Sequence, residues 1–411
     1  MSFAIKETRA ISGELAEELL AEFGSPLYVI CEAAIRDRYR RFDGALRAAG
    51  LRAAVGYSIK TNFLTAVCRV LREEGCLGEI VSGFEHEVAK KAGFNDERLI
   101  FNGPYKRREE LERLAGKARI NVESIQEIEA LEEIAGTRGE VSIGIRVHMR
   151  VGDLAWSRFG FSLDDGEADA AIERIRRSPG LRLTGIHAHV GTNIVDLSLL
   201  ETAYGRLCCK AADFVAAGFP LEYIDLGGGF AAPGARLYGR EDEFVPAIEA
   251  YVDTIARSVC RVLPREPRPL VIIEPGRALV SEAGAVLTRV VTKHGDSEGC
   301  SIVTDAGINT VPSAQGLSHE VRNLSRRRSA AVPVDVRGPL CMQNDCLSRD
   351  LLLPEPEPGD ILCIYETGAY DFSHSLQFIR LRPAVVMLSE DGSPRLVRRA
   401  ESPVDLLALD A

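Results

Sequence analysis

Nowhere does the 411-residue chain hold the ~18 consecutive apolar residues of a membrane helix. The opening MSFAIKETRA also lacks the apolar block of a secretory leader, so a cytoplasmic location is expected. Positive charge is in deficit. With 50 Lys and Arg against 60 Asp and Glu, the formal net charge of −10 repels phosphate polymers and anionic bilayers, which argues against nucleic acid and membrane partners. The one tight basic run, Arg326, Arg327 and Arg328, reads as a solvated loop face. The ten cysteines lack CxxC spacing and fall mostly within apolar runs, as expected of reduced thiols without disulfides. There is no Walker loop and no GxGxxG fingerprint.

What is present is an ordinary globular composition, 46% apolar and 27% charged, long enough for two or three domains. From about residue 50, short apolar or β-branched runs alternate with longer amphipathic ones, the pattern of βα units on a parallel sheet. The expected strands are 52–59, 77–81, 98–102, 118–122, 141–147, 183–190, 223–226 and 270–273. Helical patterns fall at 62–74, 84–92, 109–115, 124–135 and 167–177. This spacing fits a (β/α)8 barrel, with an open doubly wound sheet as its rival. Past residue 280 the pattern turns mainly β, with strands expected at 285–292, 301–305, 332–336, 360–365 and 384–388 and a turn at 354–359.

Barrels carry reactive groups at the C-terminal ends of their strands. The first strand ends in Tyr57-Ser58-Ile59-Lys60-Thr61-Asn62, which puts an amine at the rim. Such a lysine is either a solvated cation or, if desolvated, a nucleophile toward a carbonyl. The sixth ends in His187-Ala188-His189-Val190-Gly191-Thr192. Two histidines on one strand face suggest a metal pair, but no further ligand stands at metal spacing, so no metal is assigned; stacking of one imidazole on a ring, with Thr192 on a phosphate, fits better. His187 reads equally well as a hydrogen-bonded residue of the barrel mouth. Gly227, Gly228 and Gly229 close the seventh strand and leave backbone N–H groups free to approach a phosphate. Glu274-Pro275-Gly276-Arg277 closes the eighth. The arginine suits a phosphate and the glutamate a protonatable nitrogen, and pyridoxal 5'-phosphate carries both. In the β-rich half, Gly338-Pro339-Leu340-Cys341-Met342-Gln343-Asn344-Asp345 offers a thiol after a tight turn.

Taken in order, these motifs, with Gly368-Ala369-Tyr370, resemble the fold type III pyridoxal-phosphate decarboxylases, the family of diaminopimelate and ornithine decarboxylases. The resemblance runs from about residue 25 to 390. It implies an alanine-racemase-like barrel over residues 31–280, a C-terminal β domain over 281–411 and an N-terminal segment, 1–30, adding a strand to the latter. It also implies a homodimer with shared active sites, the cysteine motif approaching from the partner chain. By position, Lys60 resembles the Schiff-base lysine, His189 the ring-stacking histidine, Glu274 the pyridine-nitrogen partner and Cys341 the catalytic acid. Arg277 with Gly228, Gly229 and Tyr370 resembles the phosphate shell, and Thr192, Gly227 and Gly276 are further cofactor-binding candidates. Glu79, Glu85 and Arg146 match positions near the cofactor.

The implied activity is decarboxylation of an L-amino acid, since racemases on this barrel place an arginine where Glu274 stands. Three departures bear on the substrate. Met342 replaces the acidic residue that meets a distal ammonium, with Asp345 as a possible substitute. The segment 305–320 lacks the arginine found in diaminopimelate decarboxylases, and Phe378-Ile379 replaces an aromatic-Asn pair. They point to a modified amino acid, conjugated or carrier-tethered, with diaminopimelate, lysine or ornithine as the runner-up. Two other classes predict different behaviour: a non-catalytic homologue would show no cofactor trapped by borohydride, and a barrel hydrolase using His187 and His189 would be sensitive to chelators.

Overall fold

The computed structural model describes residues 11–152, 157–234, 236–239, 243–263, 268–296, 299–325 and 330–410. Arg326, Arg327 and Arg328 lie outside the described residues. The chain divides into two compact units, Asp37–Ala231 with Phe244–Gly276, and Met1–Arg36 with Ala232–Glu243 and Arg277–Ala411.

Strand β1 (Leu27–Cys31) belongs to the second of these units. The first is built on β2 (Ala53–Ser58), β3 (Leu77–Ile80), β4 (Leu99–Phe101), β5 (Arg119–Val122) and β6 (Val141–His148), with a two-residue β7 (Phe161–Ser162) at the end of β6. It continues with β8 (Leu181–His187) and β9 (Tyr223–Asp225) and, after β10 (Arg236–Leu237), with β11 (Leu270–Ile273). Parallel pairing runs β5, β4, β3, β2, β11, β9, β8, β6, and β6 pairs back onto β5. The ring is closed, an eight-stranded parallel barrel, and the open-sheet rival is excluded.

These strands form where they do because a parallel strand buried on both faces needs an unbroken apolar run. Several of the runs are followed by a polar residue that caps the next helix. Ser82 accepts the N–H of Glu85 and Ser124 that of Glu127, so two S-x-x-E sequences start the helices Gly83–Ala92 and Ile125–Arg138. Strand β8 corrects one expectation. The strand proposed over 183–190 stops at His187, so His189 lies in the following loop and the two imidazoles do not share a strand face.

In the β-rich unit, β12 (Gly284–Asp296) and β13 (Gly299–Thr304) form a long hairpin. A short β14 (Leu317–Ser318) pairs with β10, which is why residues 232–243, kept with the barrel in the sequence reading, group with this unit. β15 (Val321–Asn323), β16 (Ala331–Arg337), β17 (Cys346–Pro354), β18 (Ile361–Tyr365), β19 (Ala384–Leu388) and β20 (Pro394–Arg398) complete it. β1 lies between β12, antiparallel, and β19, parallel. Its residues Leu27 and Val29 pack with Leu287, Cys363 and Val386. All ten cysteines are free. Among the described residues no helix is long and apolar enough to cross a membrane.

Candidate active site

The C-terminal ends of the barrel strands bring most of the expected residues together. Lys60 stands in a single 3₁₀ turn, Ile59–Thr61, directly after β2. Its Nζ donates to Glu79 Oε2 at 2.5 Å and to Ser58 Oγ at 2.6 Å. The Ser58 hydroxyl donates to the same Glu79 oxygen. Behind this pair, Glu85 caps the turn after β3 by accepting the Val81 N–H at 2.9 Å. Burial, reinforced by the neighbouring Glu79, raises its carboxyl to about 7 against the opposing pull of Lys60.

Glu274, the residue after β11, is buried, with His187 Nε2 3.5 Å from its Oε2. Asn102 Nδ2 donates to its Oε1 at 2.7 Å. One ligand atom each from Glu274, His187 and Asp225 lie within 4.8 Å of one another. Two buried carboxyls this close cannot both ionise at ordinary cost. Burial and the adjacent Glu274 push Asp225 well above the usual carboxylate range, so it retains the proton. For Glu274 burial opposes ionisation most strongly, yet His187, Lys60 and the Asp225 hydrogen bond together hold it below that range. Glu274 is therefore the anion of the pair.

His189 takes the Gly228 N–H on Nδ1 at 3.0 Å. Burial, with Lys60, Arg146 and His187 adding to it, lowers the ring to about 3, so it is neutral with its own proton on Nε2. The glycine loop turns tightly beside it. A Cβ on Gly228 would lie 2.4 Å from the Glu274 carbonyl oxygen and 3.3 Å from His189 Cε1, and one on Gly276 2.2 Å from Thr61 Oγ1. Thr192 is exposed in the loop after β8. Arg146, at the end of β6, is paired with Glu123 Oε1 at 2.8 Å, and Glu123 also accepts the Gly103 N–H. This pairing was not foreseen: Glu123 carries no motif, and its only sequence signal is an acid directly after an apolar strand.

In the β-rich unit, Arg277 opens the short helix Arg277–Val280 and lies over the Tyr370 ring at 5.0 Å. Its Nε and Nη1 are buried without a hydrogen-bond partner among the described residues. Cys341 and Met342 are exposed on the loop after β16. Asp345 departs from the sequence expectation. It is 3% exposed, and its two oxygens accept the N–H groups of Ile308 at 2.8 Å and Leu340 at 2.7 Å. A carboxylate committed to two backbone donors staples its loop; it is not a free counter-ion for a substrate's ammonium.

Residues 32–281 match the family described as "Pyridoxal-dependent decarboxylase, pyridoxal binding domain". The chain is 34% identical to the diaminopimelate decarboxylase of Bacillus subtilis, over 97% of this chain and 94% of that one. It is 32% identical to the diaminopimelate decarboxylase of Aquifex aeolicus, covering 95% and 93%. Among solved structures it is similar to diaminopimelate decarboxylase from M. jannaschii in complex with L-lysine, with a TM-score of 0.89 and 29% identity over 96% of this chain and 94% of the other.

Proposed function

The chain belongs to the pyridoxal-dependent decarboxylases, and from that membership we propose that it decarboxylates an L-amino acid whose far end is acylated or carrier-tethered, acting as a homodimer. Its residues fit pyridoxal 5'-phosphate. The Nε and Nη1 of Arg277, buried without a hydrogen-bond partner among the described residues, suit an anion, and glycine at 228 and 276 lets the loops after β9 and β11 pack closely against Glu274 and Thr61. The rim amine of Lys60 suits the aldehyde, and the ionised Glu274 suits the ring nitrogen.

Bound there, the cofactor supplies a ring that accepts the electron pair released when the α-carboxylate departs as CO2. Glu274, a buried anion, would hold a proton on the cofactor's pyridine nitrogen. Neutral His189 offers a flat, uncharged surface to the ring and so does not compete with that cation. Glu79 and Ser58 hold the Lys60 amine at the rim. Cys341 Sγ delivers a proton to Cα where the carboxylate left, and water restores it; the product amine therefore gains one proton for each CO2 lost. The exposure of the Cys341 loop supports a role in completing the site of a second copy.

The observation that carries the substrate reading is the loop 341–345. Met342 presents an exposed side chain where the resembling enzymes have an acid, and the carboxylate of the same loop, Asp345, is committed to backbone. A thioether does not compensate a desolvated ammonium. The test measures CO2 release from free meso-diaminopimelate, lysine and ornithine against their distally N-acylated forms. About tenfold higher kcat/KM on an acylated form supports the reading, as does a reversal of that preference in Met342→Glu. Highest efficiency on free diaminopimelate overturns it. The rival substrate, free diaminopimelate, is favoured by the names of the relatives and not by this loop.

A further inference from the structure

Three side chains that no sequence motif marks form a continuous series of hydrogen bonds within the barrel core, ending on Glu274. Tyr223 Oη, on β9, donates to Asn121 Oδ1 at 2.7 Å; Asn121 Nδ2, on β5, donates to Asn102 Oδ1 at 2.8 Å; Asn102 Nδ2, after β4, donates to Glu274 Oε1 at 2.7 Å. All four residues are at most 4% exposed. The direction is fixed by chemistry. An ionised carboxylate only accepts, so Asn102 turns its amine to Glu274 and its oxygen to Asn121, which repeats the choice and leaves its own oxygen for the phenol proton.

Neighbouring strands are shaped around this line. A Cβ on Gly185 would stand 2.0 Å from Tyr223 Cζ, and one on Gly144 would stand 2.1 Å from Asn121 Oδ1 and 2.2 Å from Tyr223 Oη. Two strands thus carry glycine where any side chain would break the relay. Such a line of amides is costly inside an apolar barrel unless every group is satisfied, and here each of the three links is made.

We infer that Tyr223, Asn121 and Asn102 are positioning residues that deliver an aligned series of donors to Glu274, weakening it as a base and fixing its orientation. The consequence for catalysis rests on the functional reading above: a weakly basic Glu274 leaves the proton on the cofactor nitrogen, where it draws electrons from the substrate. The other titratable groups around Glu274 are His187 at the end of β8, His189 in the loop after it, Asp225 on β9, Lys60 after β2 and Glu79 on β3, which Asn102 Nδ2 also reaches at 3.3 Å. At the far end, Arg119 lies 6.0 Å from the Tyr223 ring. Burial raises the phenol of Tyr223 above its ordinary range, which keeps it a donor.

Tyr223→Phe removes one hydroxyl and keeps the ring between Gly144 and Gly185. In the cofactor-free protein, the side-chain amide resonances of both Asn121 and Asn102 should move, although only the first touches residue 223. In the wild type those two amides should exchange with solvent more slowly than exposed asparagine amides, a measurement that needs no variant. In the cofactor-loaded enzyme the variant should show about a tenfold fall in kcat with KM nearly unchanged, and the acid limb of the kcat profile should rise by about one pH unit. A merely structural role would lower thermal stability without moving that limb. Unchanged Asn102 resonances, rapid exchange of the wild-type amides or an unmoved acid limb overturns the inference. Should the wild type take up no pyridoxal phosphate, the functional reading falls, while the amide measurements still decide the relay.

Discussion

Glu79 Oε2 lies 2.5 Å from Lys60 Nζ, with the acid's side chain 1% exposed and the amine's 40% exposed. The anion is sunk in the barrel and the cation reaches out of it, so the pair aims the amine outward with a definite direction. Burying a carboxylate this deeply is unfavourable without such a partner, which ties the position of Lys60 to Glu79. Glu79→Gln should therefore keep the shape but lose the attraction, lowering kcat about tenfold, whereas Lys60→Ala should lose about a thousandfold or more. Borohydride treatment followed by peptide mass spectrometry checks the assignment: cofactor mass should appear on the peptide containing Lys60 in wild type and Glu79→Gln, and vanish in Lys60→Ala.

The loop after β11 has no room to spare. A methyl on Gly276 meets Thr61 Oγ1, buried in the same turn as Lys60. Gly276→Ala should weaken pyridoxal phosphate binding about tenfold or more and cost on the order of 1–3 kcal/mol of stability through overpacking. Gly316→Ala, where nothing stands within 4 Å of the new methyl, is the matched control and should change neither. Fluorescence titration of the cofactor and thermal denaturation read the two effects separately.

The barrel was legible because strands buried on both faces are mostly apolar; β11 begins and ends where its run of Leu270, Val271, Ile272 and Ile273 does. The edges of the β-rich unit were not. β20, Pro-Arg-Leu-Val-Arg, has three exposed residues and a proline, so it has neither the run nor the alternation that announces a strand. The site motifs were legible as short signatures at strand ends. Asn102, Asn121 and Tyr223 were not, because their partners come from other strands across the barrel. One signal was available: an amide inside the apolar runs Leu-Ile-Phe-Asn and Arg-Ile-Asn-Val must be paired if buried. Asp345 was misread for the opposite reason. Its place three residues after Met342 suggested a substrate contact, while one of the two backbone donors that claim it, Ile308, lies on the 305–311 turn, which sequence spacing does not bring near.

Glu85 gives stability a pH dependence of known sign. Its carboxyl moves from an ordinary 4.5 up to about 7 in the folded protein, so folding favours the protonated form. That contribution is full below about 4.5, the unfolded value, and is lost as pH rises through about 7. Asp371 is also raised to about 7 by burial and fades in the same window, so the effect of Glu85 must be taken as a difference. Between about pH 5 and pH 8, wild type should lose on the order of 2–3 kcal/mol relative to Glu85→Gln, whose amide oxygen can still accept the Val81 N–H. Urea melts of both proteins at matched pH test this; parallel curves would mean that Glu85 does not titrate there.

Cys341 and the barrel residues are assigned to one reaction, yet the thiol is exposed on its own chain, which is what a group serving a second copy requires. Mixing inactive variants separates the alternatives. If Cys341 works across a dimer interface, Lys60→Ala and Cys341→Ala protomers should rebuild one intact site in each mixed dimer. Random re-association makes about half the dimers mixed, each with one working site of two, so about a quarter of wild-type activity should return. If each chain instead supplied its own thiol, every site in the mixture would lack either the lysine or the cysteine, and activity would stay at the level of the separate variants. Measuring CO2 release before and after subunit exchange, with the dimer fraction followed by light scattering, distinguishes the two arrangements.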